Sequence, residues 1–414
     1  MFANYFESKD RILALSNMAG GSLIEGFAGD LWQAGYAEIT GRRHIRAAEH
    51  LLYWADKNGI RVDEFQKQVL SRFDDHLVQC RCSGYGHSNR MDLISGARRF
   101  MGYLHGTGVI DVGRANQREH DPVLLTAFCD WMRLRRGTKN STLGTYSISI
   151  RDLLKRIGDE PGRLDAKSLR QFVLDTSRKQ GIASTKNCTT ALRMFLRFLI
   201  AEGKCAVDLA DAIPVVAHWR LSSLPRYLQS EDVERVIASC NLGSSVGRRD
   251  RAILLLLARM GFRAGDIVQI QLEDIDWKGA WISVTGKSRR QTKFPLTQEV
   301  GQAIINYLQN GRPGTGTTAL FVGARAPFRA FANHCAISVI VAKAMHRAGV
   351  QCPSGGAAHV LRHSVATSML REGTSLQDIA VILGHRSITI TQIYAKVDRP
   401  TLQQIAQPWP EVQP

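Results

Sequence analysis

The chain has 414 residues, 44% of them hydrophobic and 22% charged, and a formal net charge of +17. The length exceeds what one compact core holds and predicts two or three domains, while the composition excludes global disorder. A positive surplus of this size favours a polyanionic partner, nucleic acid ahead of an anionic membrane.

The N-terminus, "MFANYFESKDRILALSNMAGG", carries acidic residues and no clean apolar core before a cleavage site, so it does not read as a signal peptide. A diverged internal repeat follows. One copy runs "FAGDLWQAGYAEITGRRHIRAAEHLLYWADKNGI" from Phe27, the other "FCDWMRLRRGTKNSTLGTYSISIRDLLKRIGDEP" from Phe128. Thr40 aligns with Thr142, and Leu51-Leu52 with Leu153-Leu154, at a single offset of 102 residues. Amphipathic helical patterns continue each copy, from Ser95 and from Thr190. The reading is two similar four- or five-helix domains in tandem, over 1–112 and 121–213. Pro122 separates them.

Within the first domain, "HLVQCRCSGYGH" offers His76, Cys80, Cys82 and His87 as metal ligands. Cys-x-Cys is not the usual Cys-x-x-Cys knuckle and no second knuckle follows, so free or buried thiols are expected there and no metal is assigned. The eight cysteines are otherwise scattered, which suits a reducing, cytosolic setting.

Prolines and serines in "IPVVAHWRLSSLPRYLQSEDV" mark a linker over 214–225. A third domain over 226–414, with a C-terminal tail, begins there. A helix is predicted from Ser230, with Glu231 and Asp232 in its first turn, where the helix dipole favours acids. The longest apolar run, "AILLLLA" at 252–258, is too short to span a bilayer. It ends at Gly261, which puts Arg263 on a turn between helices. "WISVTGKSRRQTKFPLT" alternates apolar and polar residues about a Gly-Lys-Ser-Arg turn and reads as a β-hairpin with Lys287 at its tip. Everything else after 226 reads as helix and loop.

In "AAHVLRHSVATSML", His359 and Arg362 lie three apart and share a helix face. In "AVILGHRSITITQIYAKV", Gly384 and His385 look like a helix stop and turn, Ser387 like the N-cap of a short helix, and Tyr394 follows His385 by nine residues. Each residue alone is commonplace: an arginine on a turn is usually a solvated charge, and Asp266 beside Arg263 could be a plain ion-pair partner. The ordered set on a basic chain is not commonplace. Two guanidiniums suit the non-bridging oxygens of a phosphodiester, and a phenol with an ordinary pKa of about 10 needs a base or a cationic surround to act as a nucleophile.

The segments "GFRAGD", "TGKSRRQTKFPL", "HVLRHS" and "LGHRSITITQIY" together resemble the tyrosine recombinase (phage integrase) family. The resemblance is specific over 226–400 and looser over 121–213, where it implies a SAM-like core-binding helical domain. Phe262 and Asp266 stand where the family usually has leucine and glutamate; both changes are conservative. The fold implied is mainly α with a small β-hairpin or sheet in the catalytic domain. The chemistry implied is DNA strand cleavage by Tyr394 through a 3′-phosphotyrosyl bond, without metal, ATP or other cofactor. Arg263 and Arg362 would clamp the phosphate, His359 accept the phenol proton, Lys287 protonate the leaving 5′ oxygen, His385 orient the phosphate and Asp266 hold the assembly from behind. Arg42, Arg43, Arg248, Arg249, Arg289, Arg290 and Lys293 are expected to contact backbone phosphates. The partners implied are double-stranded DNA, further copies of the chain as a tetramer on synapsed DNA, and other recombinases of the same element, in the bacterial nucleoid and not at a membrane. The extra N-terminal domain favours a mobile element's integrase or transposase over a chromosome or plasmid dimer resolvase. A type IB topoisomerase shares the chemistry without site preference, and a non-catalytic DNA-binding regulator would have lost Tyr394.

Overall fold

The computed structural model describes residues 1–85, 89–110, 121–158, 160–217, 224–285, 291–352, 356–385, 387–398 and 402–403. The chain forms two compact units, one of Arg114–Ser223 and one of Met1–Gly113 together with Leu224–Pro414. Apolar side chains of the N-terminal segment and of the C-terminal segment cluster separately within the second of these.

The N-terminal segment opens with the helix Lys9–Asn17, whose N-cap Ser8 accepts from the Arg11 amide at 3.3 Å. Four helices follow, Gly21–Gln33, Glu38–Lys57, Lys67–Val78 and Arg90–Gly106. The other unit repeats that order with Val123–Arg136, Asn140–Ile157, Ala166–Lys179 and Ile182–Ala201. Gly21 and Val123, and Glu38 and Asn140, begin their helices 102 residues apart. Phe27 and Phe128, and both Leu-Leu pairs, are buried. In each set the second helix packs on the fourth.

In the C-terminal segment the helix Ser230–Ala238 begins where its acidic first turn predicts. The apolar run lies in the helix Ser245–Ala258, buried along its length from Ala252 to Ala258. Three antiparallel strands add Ile275, Ile282 and Val284 to the same core: β1 (Ile275–Asp276), β2 (Trp281–Thr285) and β3 (Gln291–Pro295). The register pairs Ile282 with Phe294 and Thr285 with Gln291, so the expected hairpin is present and β1 adds an edge that alternation over two residues could not announce. The helices Gln298–Asn310, Cys335–Arg347 and Ala357–Arg371 complete this core. A smaller cluster of Ala366, Ile379, Leu383 and Tyr394 joins the last of them to the helix Leu376–Ile382 and the turns that follow. Among the described residues no helix is long and apolar enough to cross a membrane.

Candidate functional site

Two turns, far apart in sequence, are laced together by arginine. After the buried helix Ser245–Ala258 the chain reverses at Gly261, in the left-handed region at φ +61°. A Cβ there would lie 2.5 Å from Leu383 Cδ2, so only glycine fits. The second turn ends the helix Leu376–Ile382. The Gly384 amide donates to Val381 O and the His385 amide to Ala380 O, with Gly384 at φ +58°, which is a Schellman stop. Arg362, on the helix Ala357–Arg371 and 6% exposed, donates from Nη1 to Gly261 O and from Nη2 to Leu383 O. Arg263, the N-cap of the helix Ala264–Gln269, donates from Nη2 to Gly384 O at 2.9 Å and remains partly exposed to solvent. Asp266 Oδ2 lies 3.6 Å from Arg263 Nη1. Burial raises the Asp266 pKa, against the pull of Arg263 and Arg362. Burial, and then Arg263, lower Arg362 to about 10. Two cations this close disfavour each other, and an entering anion would relieve both.

Beyond the Schellman stop, Ser387 caps the short helix Ile388–Thr391 by accepting from the Thr389 amide at 3.2 Å. One further turn delivers Tyr394, which is 1% exposed. Its Oη meets His363 Nδ1 at 2.9 Å, and the two rings stand edge to face at 5.6 Å. Burial pushes the phenol up to about 12, and Arg362 and Arg263 pull the other way. His385 Nδ1 is paired with Thr391 Oγ1 at 2.8 Å. Burial, followed by the neighbouring positive charges, depresses His363 and His385 to about 4, so both are neutral at pH 7. His359 opens to solvent one turn before His363, with its pKa lowered by partial burial and then by Arg362, His334 and Arg263.

The structure therefore brings together Arg263, Asp266, Arg362, His385 and Tyr394, with His359 on the same helix as Arg362. His363 was not singled out in the sequence, although it sits four residues after His359 on the same helical face, the spacing at which two side chains meet. Lys287, Arg289 and Arg290 fall outside the described residues, as does His87. Lys293 is exposed on β3. Of the other expected phosphate contacts, Arg43 is exposed, and Arg248 donates to Asn310 O at 2.7 Å from the surface. Arg42 is tied to Tyr5 O and Glu38. Arg249 is a correction. It is 7% exposed, donates to Asp250 Oδ1 and Val322 O, and stacks over Phe331, so its donors serve the core and not a phosphate.

The phage integrase family matches residues 226–400. Over almost its whole length the chain is 33% identical to y4rA of Sinorhizobium fredii, named as an integrase/recombinase, with 98% of each chain covered. The tyrosine recombinase XerC of Thermodesulfovibrio yellowstonii is 28% identical over 66% of this chain and 91% of its own. Among solved structures, the site-specific recombinase XerH bound to palindromic difH substrate in a post-cleavage complex aligns with a TM-score of 0.53 at 17% identity, covering 81% of this chain and 93% of that one. The lambda integrase dimer bound to a COC′ core site aligns with a TM-score of 0.51 at 19% identity, covering 65% and 94%. These two likenesses concern the fold.

Proposed function

The chain belongs to the phage integrase family of tyrosine recombinases, and on that footing we propose that it cuts and rejoins DNA through a covalent 3′-phosphotyrosyl link to Tyr394, in the service of a mobile element. The observation that carries the assignment of residues is the convergence of Arg263 and Arg362 on the turn that leads into His385 and Tyr394. A phosphodiester placed on the open side of Arg263 meets both guanidiniums, which stabilise the charge of the pentacoordinate transition state.

Tyr394 Oη forms a bond to phosphorus while the bond to the 5′ oxygen breaks. Its proton passes to an imidazole, and the 5′ oxygen takes a proton from Lys287 of the hairpin turn. The free 5′ hydroxyl of a second strand then attacks the phosphotyrosine and restores the phenol, so the bond energy is conserved without ATP. Tyr394 is 1% exposed, and on this reading it moves outward to meet the phosphate. His363 holds the phenol at rest, and His359, exposed beside Arg362, accepts its proton once the tyrosine has swung to the phosphate. A second reading makes His363 itself the base, and the 2.9 Å contact favours it.

The mobile-element role rests on length. y4rA matches through the N-terminal segment, whereas XerC covers two thirds of the chain. Assembly of several copies on DNA is supported by exposed Val381, Ile382, Ile388 and Ile390 around the segment that carries the nucleophile.

A duplex nicked near the cleavage site traps the covalent adduct. Tyr394→Phe should bind this duplex as the native chain does and form no adduct; an adduct from the phenylalanine variant would move the nucleophile elsewhere. In the same assay His359→Ala should slow adduct formation by about 10²-fold or more and His363→Ala by less. The reverse order would make His363 the base.

A further inference from the structure

Away from the recombination site, four soft or borderline ligands meet in the N-terminal segment. His50 comes from the middle of the helix Glu38–Lys57, and His76 from the last turn of the helix Lys67–Val78. Cys80 and Cys82 come from the loop after it. One ligand atom from each, four in all, lies within 4.8 Å of every other. Cys80 Sγ is 3.4 Å from His50 Nε2, and Cys82 Sγ is 3.6 Å from His76 Nε2. A tetrahedron with Zn–S bonds of about 2.3 Å and Zn–N bonds of about 2.0–2.1 Å has N···S edges of about 3.5 Å. The two observed edges already have that length.

The surroundings agree. His50 is fully buried and its Nε2 faces the Cys80 thiol. The Tyr85 ring stacks on His50 at 4.4 Å, and Phe73 and Trp54 pack against His76, which excludes water from one side. The Cys82 amide donates to Cys80 Sγ at 3.5 Å, a contact that stabilises a thiolate. The sequence argued against metal because Cys-x-Cys is not the usual knuckle and no second knuckle follows; the structure supplies in its place His50, from a helix 30 residues before Cys80.

We propose that His50, His76, Cys80 and Cys82 bind one zinc ion in a closed tetrahedral site. With two sulfurs, two nitrogens and no open position the site is structural, not catalytic. It fastens the loop after the helix Lys67–Val78 to the long helix Glu38–Lys57, where the hydrophobic core alone leaves that loop half-exposed. No step of strand cleavage passes through it.

Full-length protein, dialysed without chelator, should carry about one zinc per chain by elemental analysis, and refilling with cobalt(II) should give the visible bands of tetrahedral thiolate coordination. The double variant Cys80→Ser, Cys82→Ser should lose both signals. His76→Ala should lower the zinc content and shift the cobalt bands toward fewer nitrogen ligands. His87→Ala and Cys335→Ser should leave both readings unchanged, Cys335 being exposed elsewhere. Because the cobalt spectrum reports ligands directly, a folding defect in one variant does not decide the matter. Sub-stoichiometric metal without thiolate bands in the native chain, or zinc retained by the double cysteine variant, would overturn the proposal.

Discussion

Arg362 has two tasks in this structure, and they separate by measurement. It braces the turns at Gly261 and Leu383, whose carbonyls both accept from it, and it supplies charge to the proposed phosphate site. Arg362→Ala leaves the two carbonyls without their donor. At about 1–3 kcal/mol for each unmet buried group, the loss is about 2–5 kcal/mol after some solvation by water. For a unit of this size each kcal/mol lowers the melting temperature by about 2–4 °C, so a drop of about 4–20 °C is expected. Arg362→Lys keeps a cation and one donor, and should lose about half as much. Cleavage should suffer more than stability. Removing one preorganised donor from a developing charge typically costs about 10²–10³-fold, and lysine cannot reproduce the fork of a guanidinium. The assay is single-turnover adduct formation on the nicked duplex, run well below the lowered melting point so that every molecule is folded. If Arg362→Ala melts early yet cleaves within about threefold of the native rate, Arg362 is only a brace and the clamp assignment fails.

Arg249→Ala should be a stability mutant and nothing else: it leaves Asp250 buried without its partner, a loss of about 3–5 kcal/mol, with the salt dependence of DNA binding unchanged. Arg248→Ala, at the surface, should do the opposite and make the salt dependence shallower by about one ion; a reversed pattern in filter binding and calorimetry would restore Arg249 to the DNA face. His363 and His385 sit near pKa 4 when folded and near the ordinary value of about 6.5 when unfolded, so the unfolded chain binds more protons between those values. Stability should therefore fall as pH drops from about 6.5 toward 4, by at most about 1.4 kcal/mol per unit for each of these half-buried rings. The slope should shrink in His363→Asn, and a melting temperature flat from pH 7 to 5 would contradict the burial of these rings.

What could be read in the sequence was what short-range rules control. The stop at Gly384, the cap at Ser387 and the acidic start at Ser230 depend on a few adjacent residues, and each is in place. The hairpin followed from alternation, while its two-residue edge strand was too short to show a period. The ordered basic residues were visible because their local contexts are distinctive. Side-chain direction was not. "GRRDR" reads as a basic surface run, yet Arg249 turns inward because the adjacent Asp250 faces the same interior and each neutralises the other there. His50 was invisible as a ligand for the same reason: nothing near it in sequence speaks of metal, and only the packing of one helix on the next brings it to Cys80. The repeat at offset 102 was legible through paired leucines because both copies must bury the same positions of the same helix.

The charges around Tyr394 argue that burial and catalysis are consecutive states. In the resting site the phenol is near 12 because burial outweighs the two arginines. A phosphate entering between Arg263 and Arg362 would cancel much of the positive potential that draws the phenol down, so cations alone cannot ionise it at neutral pH. The nucleophile then needs an imidazole to take its proton during the attack. In the proposed mechanism a neutral imidazole is available at His363 while the phenol rests against it and at His359 once the tyrosine has moved. Burial first, and then the charge of Arg362, keeps both neutral, and Arg362 is one of the two guanidiniums proposed to hold the phosphate. Protonating either histidine adds a cation beside Arg362 and removes the acceptor. Adduct formation should therefore rise with pH through the histidine range before it levels, while duplex binding, which rests on arginine, stays constant across it. A rate that is flat between pH 5 and 8 would mean that no histidine takes the proton.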